Sequence, residues 1–286
     1  MALVTLREIL SNTRKKGYAV GAFNFNDYED AKGIIEGAKE ENSPVILMAS
    51  MGAIQYIGLE HTAAMIREMA NKVNIPVCLH LDHATDFDLI KEAIKCGFTS
   101  VMIDASKKDF EENIKESKAV VQFAKPYGCS VEAELGQVGG KEEHIEAEDD
   151  EAGYTRPGDV PRFVEETGID ALAVAIGTCH GFYTKEPKLD FKRLEKIAQL
   201  TDCPLVLHGG SGISVEDFKR CISMGMSKIN VGTELKATFS NALRDTVNRL
   251  PESEFDPRNY MKPVTQACKE VVREKIKIFG SSNKAW

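Results

Sequence analysis

Eight short apolar, β-rich runs alternate with stretches of helical apolar spacing, and this repeat constrains the fold more tightly than anything else in the 286 residues. The runs lie at 19–24, 45–50, 77–82, 100–104, 130–135, 171–176, 205–208 and 228–231. Between them, apolar residues recur near every 3.6 positions at 28–41, 59–72, 87–96, 110–127, 160–167, 191–199 and 214–224. The same spacing returns at 234–250 and 264–279. Eight strand-then-helix units predict an α/β chain folded as a (β/α)8 TIM barrel, one domain over 1–286, with additional N- and C-terminal helices. An open doubly wound sheet would need fewer units and a GxGxxG turn after the first strand. Here Asn24-Phe25-Asn26-Asp27 follows, without glycine.

Composition narrows the partners. With 36 Lys+Arg against 44 Asp+Glu, the formal charge of −8 opposes binding to nucleic acid or an anionic membrane, which needs a basic face. No apolar run approaches the roughly 20 residues of a bilayer span. Residues 1–16 lack a signal-peptide core and read as an amphipathic helix. Seven cysteines without a CxxC pair predict reduced thiols and a cytoplasmic location. The least regular segment, 136–158, holds seven acidic residues between Glu142 and Glu151 and reads as a solvated loop or a lid over a site.

Catalytic groups of a barrel come from the C-terminal ends of its strands. His83, His180 and His208, three of the six histidines, fall there from three different strands. Three neutral imidazoles with an open fourth position suit a catalytic zinc, and Asp104 and Glu134 end neighbouring strands. His80 is expected inside the barrel as a structural residue, and His61 and His144 as ordinary ones. Gly209-Gly210-Ser211-Gly212 and Asn230-Val231-Gly232-Thr233 follow the last two strands, where this fold habitually binds phosphate. Glycines let backbone N–H groups close on an anion, and a helix N-terminus follows. Asp82 could move a proton to or from a hydroxyl, or support a ligand imidazole; its type and spacing allow both.

Six spaced blocks together resemble the zinc-dependent class II ketose-bisphosphate aldolases. They are His80-Leu81-Asp82-His83, the run Ser100 to Ser106, Val131 to Gly136, Ala175 to Gly181, Leu207 to Gly212, and Lys228-Ile229-Asn230-Val231. The resemblance covers essentially the whole chain. It implies zinc on His83, His180 and His208, a second or displaced metal position at Asp104 and Glu134, and Asp82 as proton donor. It implies that Glu142 transfers a proton at C3, that Arg258 reads the distal phosphate, and that Asn24 and Ser50 join the substrate site. Gly181, Gly209, Gly210, Ser211 and Asn230, Val231, Gly232, Thr233 match positions that bind dihydroxyacetone phosphate, beside which the family usually holds sodium or potassium. The implied reaction is reversible cleavage of a ketose 1,6-bisphosphate to dihydroxyacetone phosphate and an aldehyde such as glyceraldehyde 3-phosphate, in a homodimer or homotetramer.

Glu134-Leu135-Gly136-Gln137, the run 172–178 and Thr233-Glu234-Leu235-Lys236 resemble the tagatose branch more than the fructose branch. Cys179 replaces the more familiar Ala or Ser, Gly232 replaces Ala, and Lys141 and Arg156 add cations to a usually acidic loop. These departures bear on the aldehyde end and leave open a ketose 1-phosphate with a different terminal group. A metal-dependent phosphosugar epimerase could use the same groups. A Schiff-base aldolase would need a desolvated lysine at the rim. Lys228 begins the eighth strand, which puts it at the opposite end, and Lys107 and Lys108 are expected to face solvent. A sugar-phosphate-binding protein would need neither an open zinc nor a proton donor.

Overall fold

Parallel pairing closes the eight expected runs on one another in the computed structural model, which describes residues 3–142, 145–147, 153–183 and 187–286. The strands are β1 (Val20–Asn24), β2 (Val45–Ser50), β3 (Val77–Ala84), β4 (Ser100–Ile103), β5 (Ser130–Leu135), β6 (Gly139–Glu142), β7 (Ile145–Ala147), β8 (Ala171–Val174), β9 (Cys179–His180), β10 (Leu205–Leu207) and β11 (Met226–Val231). The barrel order is β1-β11-β10-β8-β5-β4-β3-β2, and β6, β7 and β9 form a separate small sheet. This is the predicted barrel.

Twelve helices are described: α1 (Leu6–Leu10), α2 (Thr13–Lys16), α3 (Tyr28–Glu40), α4 (Met51–Ile57), α5 (Leu59–Asn71) and α6 (Phe87–Cys96) in the first half. The second half carries α7 (Phe110–Ala124), α8 (Val160–Thr167), α9 (Phe191–Leu200), α10 (Val215–Ser223), α11 (Thr233–Arg249) and α12 (Pro257–Phe279). Their starts are written in the sequence: Asp27, Asp86, Asp109, Asp190, Ser214 and Asp256 each accept a first-turn N–H.

Two apolar cores follow from strand alternation. Residues on the outer faces of the strands, such as Leu47, Leu79, Val101 and Ile229, pack with the helices. Val20, Ala22, Ile46, Met48, Ala173 and Val206 pack inside the barrel with Leu6, Ile9 and Leu10 of α1. Helix α1 therefore contributes to the interior core, and the C-terminal rim is left to polar residues two positions further along the strands, as Asn24 follows Ala22, Ser50 follows Met48 and His208 follows Val206.

Several boundaries differ from expectation. The amphipathic start breaks at Ser11–Asn12 into α1 and α2, and Gly17 (φ 64°) ends α2. Helix α4 has no counterpart among the expected helices, because it buries only Ala53 and Ile54, too little for a clear periodicity. Helix α12 starts at Pro257 and carries Pro263 inside it, where proline obscured the pattern. The sixth run stops at Val174, two residues early. The loop expected at 136–158 contains strands: β6 pairs antiparallel with β7 and parallel with β9. The charge run hid them, because strand signals are read from apolar alternation. Residues 143–144, 148–152 and 184–186 lie outside the described residues, His144 among them. No helix among the described residues is long and apolar enough to cross a membrane, and all seven cysteines are free thiols.

Candidate metal centre and phosphate cradle

Adjacent strand residues ordinarily point to opposite faces, so Asp82 and His83 should not share a site. A bulge resolves this. The register of β3 against β4 shifts between Leu81 and Ala84, and His83 adopts φ 49°, a region that favours glycine. Both side chains then reach the rim. Asp82 faces the cleft next to His180, and the His83 ring lies 4.9 Å from that of His180 and 4.5 Å from that of His208.

The imidazole nitrogens of His83, His180 and His208 lie within 4.8 Å of one another, and all three rings are buried. His83 Nδ1 is 2.9 Å from Asp104 Oδ2, and His208 Nε2 is 2.9 Å from Glu132 Oε1. An ionised carboxylate only accepts, so each of these nitrogens donates its proton outward. The inner nitrogens, His83 Nε2 and His208 Nδ1, then face each other 2.7 Å apart. Two lone pairs this close require a proton or a cation between them, and the donor set fits a borderline-soft divalent metal such as zinc. His83, Asp104 and Glu134 form a second group of the same compactness.

The electrostatics carry the same demand for positive charge. Burial opposes charging His83, but Asp82, Asp104 and Glu134 outweigh it and raise its pKa to about 10. Burial, with Asp104 adding to it, pushes Glu134 up to about 8. Burial also acts on Asp82, but His83, Lys228 and His208 hold it well below the usual carboxylate range. Burial and the charge on His83 lower His208 to about 4. Glu134 Oε1 accepts the Val138 N–H at 3.0 Å, while its Oε2 is buried without a partner among the described residues.

Beside the imidazoles, one small cleft is lined by Asn24, Asp82, His180, Gly181, Gly209, Gly210, Ser211, Asn230, Gly232 and Thr233. Gly210 N–H donates to Asn230 O at 3.0 Å, and a Cβ on Gly210 would stand 2.4 Å from that oxygen. Only glycine lets β10 and β11 exit this close together. Tyr183 Oη accepts the Cys179 N–H and donates to Gly209 O, tying the chain around His180 to the glycine loop. Ser211 Oγ accepts the Glu234 N–H, which fixes the loop on the first turn of α11. Such a cradle of amides and a helix N-terminus binds anions.

Asn24 Nδ2 donates to Asp82 Oδ2 at 2.9 Å, and Asp82 Oδ1 is buried without a partner among the described residues. Ser50 pairs in register with Asp82 and caps α4 by accepting the Ala53 N–H. Val231 is buried among apolar residues behind the cleft instead of lining it, because its side chain takes the outer face of β11. Arg258 does not converge on the site. It is exposed, its guanidinium forks onto Asp256, and it lines neither this cleft nor the separate one beside Lys108, Gln137 and Arg156. Glu142 ends β6, and its side chain lies outside the described residues.

Two corrections concern the layer below. Lys228 does not reach the opposite end: it is fully buried in the barrel with Nζ 2.8 Å from Glu132 Oε2, because the interior offers it a carboxylate. Paired with Glu132 and absent from the lining of the rim cleft, it does not offer the rim lysine that a Schiff-base aldolase needs. Glu132, outside the expected site, sits two positions before Glu134 and so shares its inward face. His80 lies in the interior as expected, with Nδ1 2.7 Å from Ser100 Oγ, and burial and Lys228 hold its pKa down to about 3.

A family model described as fructose-bisphosphate aldolase class-II matches residues 4–284. The chain belongs to the class II fructose-bisphosphate aldolase family. Its members are lyases, and this chain shares their whole length. It is 48% identical over 288 aligned positions to the fructose-bisphosphate aldolase of Staphylococcus aureus (strain Mu50), covering 100% of both chains. It is equally similar to the probable fructose-bisphosphate aldolase of Bacillus subtilis (strain 168), again over 100% of each. Among solved structures, the YdjI aldolase of Escherichia coli K12 superposes with a TM-score of 0.88 at 39% identity, over 99% of this chain and 100% of that one. The family is generally zinc-dependent, which agrees with the three-imidazole cluster.

Proposed function

We propose that this class II aldolase is zinc-dependent and cleaves a ketose 1,6-bisphosphate, of tagatose or fructose type, to dihydroxyacetone phosphate and glyceraldehyde 3-phosphate. The observation that carries the proposal is the pair of inward imidazole nitrogens, 2.7 Å apart, beside a carboxylate and a glycine-lined cradle. His83, His180 and His208 hold the metal, and Asp104 and Glu134 offer it a second position. When bound, a divalent metal supplies the Lewis acid that offsets the negative charge left beside the carbonyl by carbon–carbon cleavage.

The chain's own groups do the rest. The loop Gly209–Ser211, Gly181 and the Asn230–Thr233 turn hold the C1 phosphate and fix the ketose for reaction. Asp82 enters as a carboxylate, oriented through Oδ2 by Asn24, and its Oδ1 accepts the C4 hydroxyl proton during cleavage. In condensation it returns that proton to the aldehyde oxygen. Glu142, at the end of β6, exchanges the C3 proton.

Arg258 is turned away onto Asp256, which favours a second reading for the far end of the substrate. On that reading the chain takes a ketose 1-phosphate whose terminal group is not a phosphate. Helix α11 buries only Leu235 and Thr246 along its 17 residues, which supports a homodimer or homotetramer. Triose-phosphate release from tagatose and fructose 1,6-bisphosphates, with and without chelator, tests the activity. Chelator-sensitive cleavage restored by zinc is expected, and the faster sugar identifies the branch. No cleavage of either sugar by the zinc-loaded protein overturns the bisphosphate assignment in favour of the second reading.

A further inference from the structure

Beneath the imidazoles the barrel carries a charged layer that neither the metal site nor the phosphate cradle uses. Lys228, Glu132 and His80 are each fully buried there, among Met48, Cys78 and Ala173 of the interior core. Glu132 bridges two levels. Its Oε2 accepts from Lys228 Nζ at 2.8 Å, and its Oε1 accepts from His208 Nε2 at 2.9 Å. Taking a carboxylate and an ammonium out of water costs several kcal/mol per ion, and well-packed apolar residues of similar volume often serve stability as well or better. Stability alone therefore does not account for this pair, and its geometry suggests another role.

Imidazole carries one proton when neutral, and the partner of one nitrogen decides which nitrogen keeps it. Glu132, balanced by Lys228, can only accept, so His208 keeps its proton on Nε2 and turns a lone pair on Nδ1 toward His83. Asn230 Nδ2 is 3.4 Å from the same Nε2. With that nitrogen's hydrogen committed to Glu132, the amide cannot donate to it, and Asn230 faces the phosphate cleft. We propose that Glu132 and Lys228 are positioning residues of the metal centre: the buried pair holds the tautomer and orientation of His208 that expose Nδ1 to a divalent metal. The inference rests on the metal-binding reading above.

The test uses the full chain, freed of metal with chelator and titrated with Co2+, whose visible absorption reports the ligand geometry. Two doubly neutral variants are compared, Glu132→Leu with Lys228→Met, and Glu132→Gln with Lys228→Met. Neither leaves an unpaired charge, and only the glutamine can still accept the Nε2–H. The leucine variant is expected to bind Co2+ roughly 10–100-fold more weakly, the range for lost partners of metal-ligating groups, with a changed spectrum. The glutamine variant is expected to recover most of the affinity. A purely structural role would shift both alike. Folded leucine variant with Co2+ affinity within twofold of the parent overturns the inference while leaving the metal reading intact. Failure of the parent itself to bind Co2+ removes the metal reading, and this inference with it. Should the leucine variant not fold, long-range 1H–15N spectra of the metal-free parent decide: a proton on His208 Nε2 supports the inference, and one on Nδ1 overturns it.

Discussion

Replacing Gly210 with alanine separates the phosphate cradle from the metal centre, because the clash falls between β10 and β11 and not on the histidines. The added Cβ would stand 2.4 Å from Asn230 O and 3.0 Å from Ile229 Cγ2. Ordinary contact needs about 3.4 Å or more, so the two strand exits must part by about 1 Å, and the atom in the way is backbone, which cannot rotate aside. The Gly210 N–H bond to Asn230 O, now 3.0 Å, lengthens beyond hydrogen-bond range at a cost of roughly 1 kcal/mol. Overpacking adds roughly 1–3 kcal/mol to the loss of stability. For function, a 1 Å shift of one amide costs the phosphate a charge-assisted bond of about 1.5–3 kcal/mol, or roughly 10–100-fold in KM. Coupled triose-phosphate assays, inhibition by inorganic phosphate and a thermal melt read these quantities together. KM and phosphate inhibition both within twofold of the parent would show that this loop does not bind the phosphate.

Asp82→Asn keeps the shape and removes the base, so kcat should fall roughly 10²–10⁴-fold with KM and melting temperature little changed; a kcat close to that of the parent would refute the base role. Metal uptake should release protons, because the metal-free protein holds them on Glu134, raised to about 8, and on His83, raised to about 10. Each displaced proton makes affinity rise about tenfold per pH unit, so affinity should climb most steeply below pH 8 and more gently from 8 to 10. A chelator-buffered titration that is flat between pH 6 and 9 would contradict this. Zinc at 100 times its Kd should stabilise the fold by about 2.7 kcal/mol, raising the melting temperature by roughly 5–10 °C relative to chelated protein. Tyr183→Phe removes the hydroxyl between Cys179 N and Gly209 O, and each hydrogen bond lost costs roughly 1 kcal/mol, so a destabilised protein with raised KM is expected in melts and steady-state kinetics.

The sequence by itself determined the barrel, because eight apolar runs with helical spacing between them have few other ways to bury both faces of every strand. It also placed His83, His180, His208, Asp82 and the glycine turns at one rim, since a parallel barrel sends all its strand ends to the same side. What it could not carry is geometry finer than which end a residue occupies. The bulge that turns Asp82 and His83 to the same cleft depends on a register shift against β4, a long-range pairing with no local signal. Strand β6 pairs with its neighbour β7 and with the distant β9, and segments this short (Gly139–Glu142, Ile145–Ala147 and Cys179–His180) give no apolar alternation to read. Resemblance alone puts Arg258 at the distal phosphate, while within this chain Asp256, two positions earlier, holds its guanidinium at the start of α12. Lys228 and Glu132 sit 96 residues apart and meet only because closure of the barrel brings β5 and β11 to face each other across its interior. Charge in a sequence is ordinarily a surface signal; inside a closed barrel, tertiary structure decides which charges are buried, paired and turned toward the site.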